Sequence, residues 1–290
     1  MTYAEALKYT MEALKPMDLS MPGLEARELV AYASASCGTQ IRRDDVVKLG
    51  ALEAPNDIRE CLDDLLERRL RGEPLAYIIG EWDFYGITLE VNPDVLIPRQ
   101  DTEIVVEKAL TLLRDARSPR ILDLCCGSGA IGIALLAHIP GATGVFADIS
   151  AGALRVCRKN IETQGLAART QIITLDALEP APDGIGHFDL IACNPPYISS
   201  DEMLTLPVDV SGFEPHDALY GGYDGLNFYR AISTGFYRVI RPGGCIIFEC
   251  GAYQGFEVSE LLKKAGYEAI TRYLDYNKME RAVSARVPMR

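Results

Sequence analysis

An α/β architecture is what this sequence predicts: an open parallel sheet with helices on both faces, preceded by a small helical bundle and joined to it by a β-hairpin. Three observations carry that expectation. Residues 1 to about 75 show the three-to-four-residue apolar spacing of amphipathic helices. From Tyr77 to Pro98 the chain turns β-rich, with breaks at Gly86 and Asn92-Pro93. Beyond Thr102, strand-like and helix-like runs alternate, which implies right-handed βαβ units.

Each element follows in order. Tyr3, Leu7, Met11 and Leu14 share one helical face. Ile58, Leu62, Leu65, Leu66 and Leu70 share another, before Gly72 and Pro74 stop that helix. Between them "ELVAYASAS" and "RRDDVVKL" are expected as shorter helices, so residues 1–75 form a bundle suited to docking rather than chemistry. Residues 76–98 are expected as a hairpin linker in which Trp82 packs. The larger domain, 99–290, opens with a helix from Thr102 to about Arg114. Strands "RILDL", "TGVFAD", "QIITLD" and "FDLIAC" follow, with "AIGIALLAHI" and "AGALRVCRKNIETQ" as helices between the first three. Helix "GLNFYRAISTGFYRVI", strand "CIIFEC", helix "EVSELLKKAG" and two terminal strand candidates bring the strand count to seven. No internal repeat or low-complexity segment interrupts the series.

Composition narrows the class. The 290 residues are 48% hydrophobic and 24% charged, as in an ordinary globular protein. No apolar run reaches the roughly 18 residues of a membrane span, and Met1 to Leu14 lacks a signal peptide's basic start and apolar middle, so a cytoplasmic location off the membrane is expected. A net charge of −12 works against a broad grip on phosphate backbones. It favours a protein or small-molecule partner over a stable nucleic-acid complex. Eight cysteines without C-x-x-C spacing are expected as reduced thiols, with no metal site.

In an open α/β sheet the ligand sits beyond the carboxyl ends of the strands, which directs attention to "DLCCGSGAIG", Asp123 to Gly132. Gly127, Gly129 and Gly132 match G-x-G-x-x-G, and Asp148 ends the next strand, where a ribose-binding acid belongs. The pattern serves NAD and S-adenosylmethionine alike. Asp123 favours the latter, because an acid there repels a pyrophosphate yet suits a ligand bearing an ammonium group. Asp176 is a third acid at a strand end, placed to accept from an adenine amino group. Cys125 and Cys126 are expected to pack.

The stretch "CNPPYI" emerges from the fourth strand at the same edge. Pro195 and Pro196 fix their own φ and push the residues before them into extended conformations, so the carbonyls are aimed. The Asn194 side-chain oxygen and the Pro195 carbonyl then offer two acceptors to one NH₂ group, and Tyr197 can stack on the planar group that carries it. Hydrogen bonds that strengthen as a conjugated nitrogen becomes tetrahedral favour the transition state over the ground state.

With these residues the chain resembles the release-factor glutamine N5-methyltransferases over nearly its whole length. The likeness rests on "GEPLAYIIG", "LIPRQDTE", "LDLCCGSGAIGIAL", "CNPPYI" and "FEPHDALYGGYDGLNFYR". The resemblance implies a Rossmann-like seven-stranded methyltransferase sheet and S-adenosyl-L-methionine as cofactor with S-adenosyl-L-homocysteine as product; a monomer is expected. It implies as substrate the glutamine in the Gly-Gly-Gln loop of a peptide chain release factor. The implied cofactor set is Asp123, Cys125, Gly127, Gly129, Asp148, Ile149, Asp176, Ala177 and Asn194. Asn194, Pro195, Pro196 and Tyr197 form the transfer set, and Arg99, Phe213, Glu214 and Pro215 lie around the cleft. This chain departs from the commoner pattern at Cys125, where a glycine is usual, and at "DYNKMERAVSARV" near the C-terminus. Rival classes are a nucleic-acid amino-methyltransferase, which calls for a basic face, a dehydrogenase, which leaves "NPPY" idle, and a catalytically inactive binding protein, which calls for losses at the site.

Overall fold

The computed structural model describes residues 1–17, 19–275 and 277–289, which divide into two compact units. The first comprises Met1–Gly80 with Val208–Phe213, and the second comprises Glu81–Pro207 with Glu214–Arg290.

The first unit is helical, with α1 (Tyr3–Leu14), α2 (Pro22–Ser36), α3 (Ile58–Leu70) and α4 (Leu75–Ile79). Thr2 caps α1 by accepting from Glu5 N while the Glu5 carboxylate accepts from Thr2 N. Pro22 starts α2, where its missing N–H costs nothing. Leu14, Leu29, Val30, Ile58 and Leu62 are fully buried. Arg69, also buried, is held by both Glu25 oxygens at 2.8 and 3.3 Å. "RRDDVVKL" does not form the expected helix: a single 3₁₀ turn at Arg43–Asp45 stands in its place. Asp45 is drawn to Arg42 and Lys48, and the β-branched pair Val46-Val47 has little helix propensity to oppose this.

The hairpin forms within the expected stretch, but begins later. Tyr77 to Ile79 are helical, and β1 (Glu81–Phe84) and β2 (Ile87–Glu90) group with the second unit. Tyr85 and Gly86 turn the hairpin with φ of 48° and 77°, as a two-residue loop of the favoured hand requires. Phe84 and Leu89 enter the second unit's core, Tyr85 N donates to Glu103 at 2.9 Å, and Glu90 N donates to Asn160 at 2.7 Å.

Helix α5 (Glu103–Leu112) leads into β3 (Arg120–Leu124), α6 (Ala130–His138), β4 (Thr143–Asp148), α7 (Ala151–Thr163), β5 (Thr170–Thr174) and β6 (Phe188–Cys193). Two short helices, α8 (Ser200–Met203) and α9 (Val208–Ser211), precede α10 (Asn227–Gly235), β7 (Ile240–Glu249), α11 (Gly255–Lys264), β8 (Glu268–Leu274) and β9 (Glu280–Arg286). The seven strands stand in the order β5-β4-β3-β6-β7-β9-β8. All neighbours are parallel except β9, which runs antiparallel to both β7 and β8. One face packs under α5, α6 and α7, the other under α10 and α11. The near-continuous apolar runs of β3 and β6 follow from burial on both faces. Among the described residues no helix is long and apolar enough to cross a membrane.

Candidate active site

Parallel strands end together, so the residues just past their carboxyl ends form a row. Leu124 of β3 is paired with Ala147 of β4 and with Cys193 of β6, and Cys193 is paired with Phe248 of β7. One residue further on, Asp148, Cys125, Asn194 and Glu249 therefore stand side by side across the sheet edge.

The glycine loop shapes one half of this row. Cys125, Gly127 and Gly129 have φ of 57°, 52° and 83°. Glycine takes such values freely, and Cys125 takes them against the steric preference of an L-residue. A Cβ on Gly129 would meet Cys157 Sγ at 2.8 Å, and one on Gly132 would meet Phe146 at 2.4 Å. At Gly127 a Cβ would have nothing within 4 Å, so bare backbone faces open space there.

Two acids secure the loop. Asp148 accepts from Gly127 N and Ser150 N, each at 2.9 Å, one bond on each carboxylate oxygen. Burial raises its pKa against the pull of those bonds. Asp123, 2% exposed, accepts from Gly132 N at 2.8 Å and so ties β3 to α6. Burial drives its pKa up to about 8, the Gly132 bond lowering it and the nearby Asp148 charge adding to the rise. Asp176 lies beyond β5, half-buried, with Oδ1 accepting from Leu178 N at 2.9 Å. Beside it Ala177 is buried, and Ile149, past β4, is exposed.

The proline loop forms the other half. Ile198 N donates to Leu219 O and Gly221 N donates to Ile198 O, both at 2.9 Å. A Cβ on Gly221 would lie 2.7 Å from Pro196 O, and one on Gly225 would lie 2.3 Å from Tyr197 O, so these glycines allow the 219–225 segment to clamp the loop. Gln254 Nε2 donates to Tyr197 O at 2.9 Å, and the Tyr197 hydroxyl donates to Glu249 Oε1 at 3.1 Å. With the loop fixed from several sides, the Asn194 side chain and the Pro195 carbonyl have no hydrogen-bond partner among the described residues.

Of the expected cleft residues, Arg99 and Glu214 are brought together as an ion pair, with the Glu214 carboxylate also accepting from Ile97 N at 3.4 Å. Pro215 starts a 3₁₀ turn at His216–Ala218. Phe213 belongs to the helical unit, its ring 3.5 Å from the position of a Cβ on Gly72. Sequence reasoning missed Glu249, Gln254, Gly221 and Gly225. Glu249 carried a usable signal, an acid at the end of the strand "CIIFEC", the same criterion that singled out Asp148. Among the described residues no group of His, Cys, Asp and Glu is arranged to hold a metal.

Two family models match the chain: the methyltransferase small domain over residues 102–206 and the PrmC N-terminal domain over residues 5–80. Relatives named release factor glutamine methyltransferase include one from Cereibacter sphaeroides, 35% identical with 99% of each chain covered. Another, from Caulobacter vibrioides, is 35% identical over 98% of this chain and 96% of its own. A third, from Bradyrhizobium diazoefficiens, is 43% identical over 76% and 74%. Among solved structures, the hMettl16 catalytic domain in complex with a MAT2A 3′UTR hairpin aligns at 16% identity, with 70% of this chain and 76% of that chain covered and a TM-score of 0.57. A methyltransferase from Pyrococcus furiosus aligns at 14% identity, 78% and 99% coverage, and a TM-score of 0.51. At such identities the structural matches establish the sheet architecture alone.

Proposed function

The chain belongs to the release factor glutamine methyltransferases, and from that premise we propose that it transfers a methyl group from S-adenosyl-L-methionine to the side-chain N5 of the glutamine in a release factor's Gly-Gly-Gln loop, in the cytoplasm. The observation that carries this reading is the pair of unclaimed acceptors, the Asn194 side chain and the Pro195 carbonyl, on a clamped loop beside the glycine loop.

The residues present fit the cofactor. Gly127 offers bare backbone with room above it, and each Asp148 oxygen, with one lone pair committed to a backbone N–H, retains capacity for a ribose hydroxyl. Asp123 is a buried acid whose raised pKa a cationic ligand would bring down. Asp176 and Ala177 would lie toward the base, with Ile149 beside the ribose. The cofactor supplies a methyl group on a positively charged sulfur.

Asn194 and Pro195 accept the two amide hydrogens of glutamine and hold its nitrogen in line for attack. Their bonds strengthen as the nitrogen loses conjugation, which lowers the barrier. The Tyr197 ring stacks on the amide plane. The methylated nitrogen becomes acidic and releases its proton afterwards, so no strong base is required at attack. We assign the helical unit to docking of the release factor, since one glutamine presents too little surface to be selected among all others.

Mixing the protein with methyl-labelled S-adenosylmethionine and purified release factors, then mapping the label by mass spectrometry, tests the reading. Label on the Gly-Gly-Gln glutamine is the expected result, and label elsewhere or nowhere overturns it. A fragment beginning at Glu81 is expected to lose most of its kcat/KM for an intact factor while a short Gly-Gly-Gln peptide loses little. Equal loss on both would assign the helices to active-site support instead.

A further inference from the structure

Directly behind the proline loop lies a buried polar cluster. Glu249, 1% exposed, ends β7 level with Asn194 and accepts the Tyr197 hydroxyl through Oε1 at 3.1 Å. Its other oxygen is buried with no hydrogen-bond partner, as are Thr102 Oγ1 and Arg281 Nε. Arg281 Nη2 reaches Asp101 at 3.1 Å and Asp275 at 3.4 Å. Burial raises the Glu249 pKa, against the opposing pull of the Tyr197 hydroxyl and the Arg281 charge.

Such a carboxylate is a poor way to stabilise a fold. A buried charge with one oxygen unsatisfied costs more than an apolar side chain of similar shape. Arg281 does not depend on it, having two other carboxylates within reach. What Glu249 does uniquely is to fix the far end of Tyr197, whose near end is already held through its carbonyl by Gln254. With the hydroxyl anchored, the ring cannot swing away about Cα–Cβ without breaking a charge-assisted bond.

We propose that Glu249 is a positioning residue for methyl transfer: it fixes the far end of the Tyr197 ring and thereby sets where the planar acceptor amide stacks. This rests on the reading of Tyr197 as the stacking partner of the amide. A purely structural role predicts that the charge matters and the geometry does not, whereas a positioning role predicts the reverse.

Glu249→Gln, Glu249→Asp, Glu249→Leu and Tyr197→Phe separate the two. Glu249→Gln keeps an acceptor at the same reach and is expected within threefold of the parent kcat. Glu249→Asp keeps the charge but withdraws it by one methylene, and Glu249→Leu removes it. Both are expected to lower kcat about thirtyfold, with calorimetric affinity for S-adenosylmethionine and KM for the release factor changed less than threefold. In the Tyr197→Phe background, Glu249→Asp is expected to add little. Parent-like kcat in Glu249→Asp, a Glu249→Gln loss equal to that of Glu249→Asp, or full additivity with Tyr197→Phe would overturn the proposal. Glu249→Asp carries the test if Glu249→Leu does not fold. A substrate-independent readout is tyrosine-labelled NMR of the whole protein. The Tyr197 hydroxyl proton should exchange slowly with water and be observable in the parent and in Glu249→Gln, and be lost to fast exchange in Glu249→Asp. Fast exchange already present in the parent refutes the anchor, whereas a parent that shows the anchor but methylates no release factor refutes only the reading of the substrate.

Discussion

The two loops that meet at the sheet edge achieve rigidity in opposite ways. The glycine loop takes positive φ at Cys125, Gly127 and Gly129 and turns its N–H groups inward: Gly127 N is held by Asp148, Cys126 N by Ala147 O at 3.0 Å, and Gly129 N by Cys126 O at 2.7 Å. The proline loop has no N–H at residues 195 and 196 and leaves two acceptors without a partner among the described residues. A loop whose N–H groups are taken up by itself and by the neighbouring strand makes a shaped surface for binding. A loop that withholds its acceptors keeps them for a group that changes during reaction. Damage to the first is therefore expected to appear in affinity, and damage to the second in turnover.

The largest expected effect tests the second half of that contrast. Asn194→Ala should lower turnover by about 10²- to 10³-fold, as for removal of one preorganised transition-state partner, while calorimetry shows cofactor affinity within a few-fold. Turnover near the parent value would erase the distinction between the loops.

Asp148→Ala addresses the first half. Losing charge-assisted bonds to the ribose should weaken S-adenosylmethionine binding by about 3 kcal/mol, roughly 100-fold, with part of the loss coming from release of Gly127 N. Turnover at saturating cofactor should suffer less. Unchanged affinity in a folded variant would remove the ribose assignment.

A smaller effect comes from pH. Asp123 holds its proton up to about 8 in the folded protein, far above the value of about 4 in an unfolded chain. The folded state thus binds the extra proton, and ligand-free stability falls as pH rises through that interval. A cationic ligand draws the acid into its charged form, so S-adenosylmethionine should bind roughly tenfold tighter at pH 8 than at pH 6, with proton release seen by calorimetry in buffers of different ionisation enthalpy. Asp123→Asn should abolish the proton release. Its persistence in that variant would assign it to another group.

The smallest expected effect sharpens the comparison inside the glycine loop. Cys125 carries a left-handed conformation that costs an L-residue about 1–2 kcal/mol, whereas glycine costs about 0.5–1 kcal/mol in unfolded-state entropy. Cys125→Gly should therefore gain about 0.5–1 kcal/mol, a rise of about 2 °C in Tm by calorimetry. A fall would show that the thiol's packing outweighs the strain.

Much of this protein was legible in the chain. The order of strands and helices, the glycine turn after β3 and the rigid asparagine-proline stretch after β6 all follow from periodicity or from φ restrictions, which act within a few residues. Tertiary structure alone decided the rest. Strand β9 slots between β7 and β8 by pairing edges that no local pattern specifies. The hairpin packs into the second unit because Phe84 and Leu89 find a core there, and residues 208–213 group with helices that precede them by more than a hundred positions. Asp123 has a pKa of about 8 because packing removes water from it, a property of the assembled neighbourhood and not of the residue. The Tyr197–Glu249 bond joins side chains 52 positions apart, and only parallel strands ending at the same level bring them within reach.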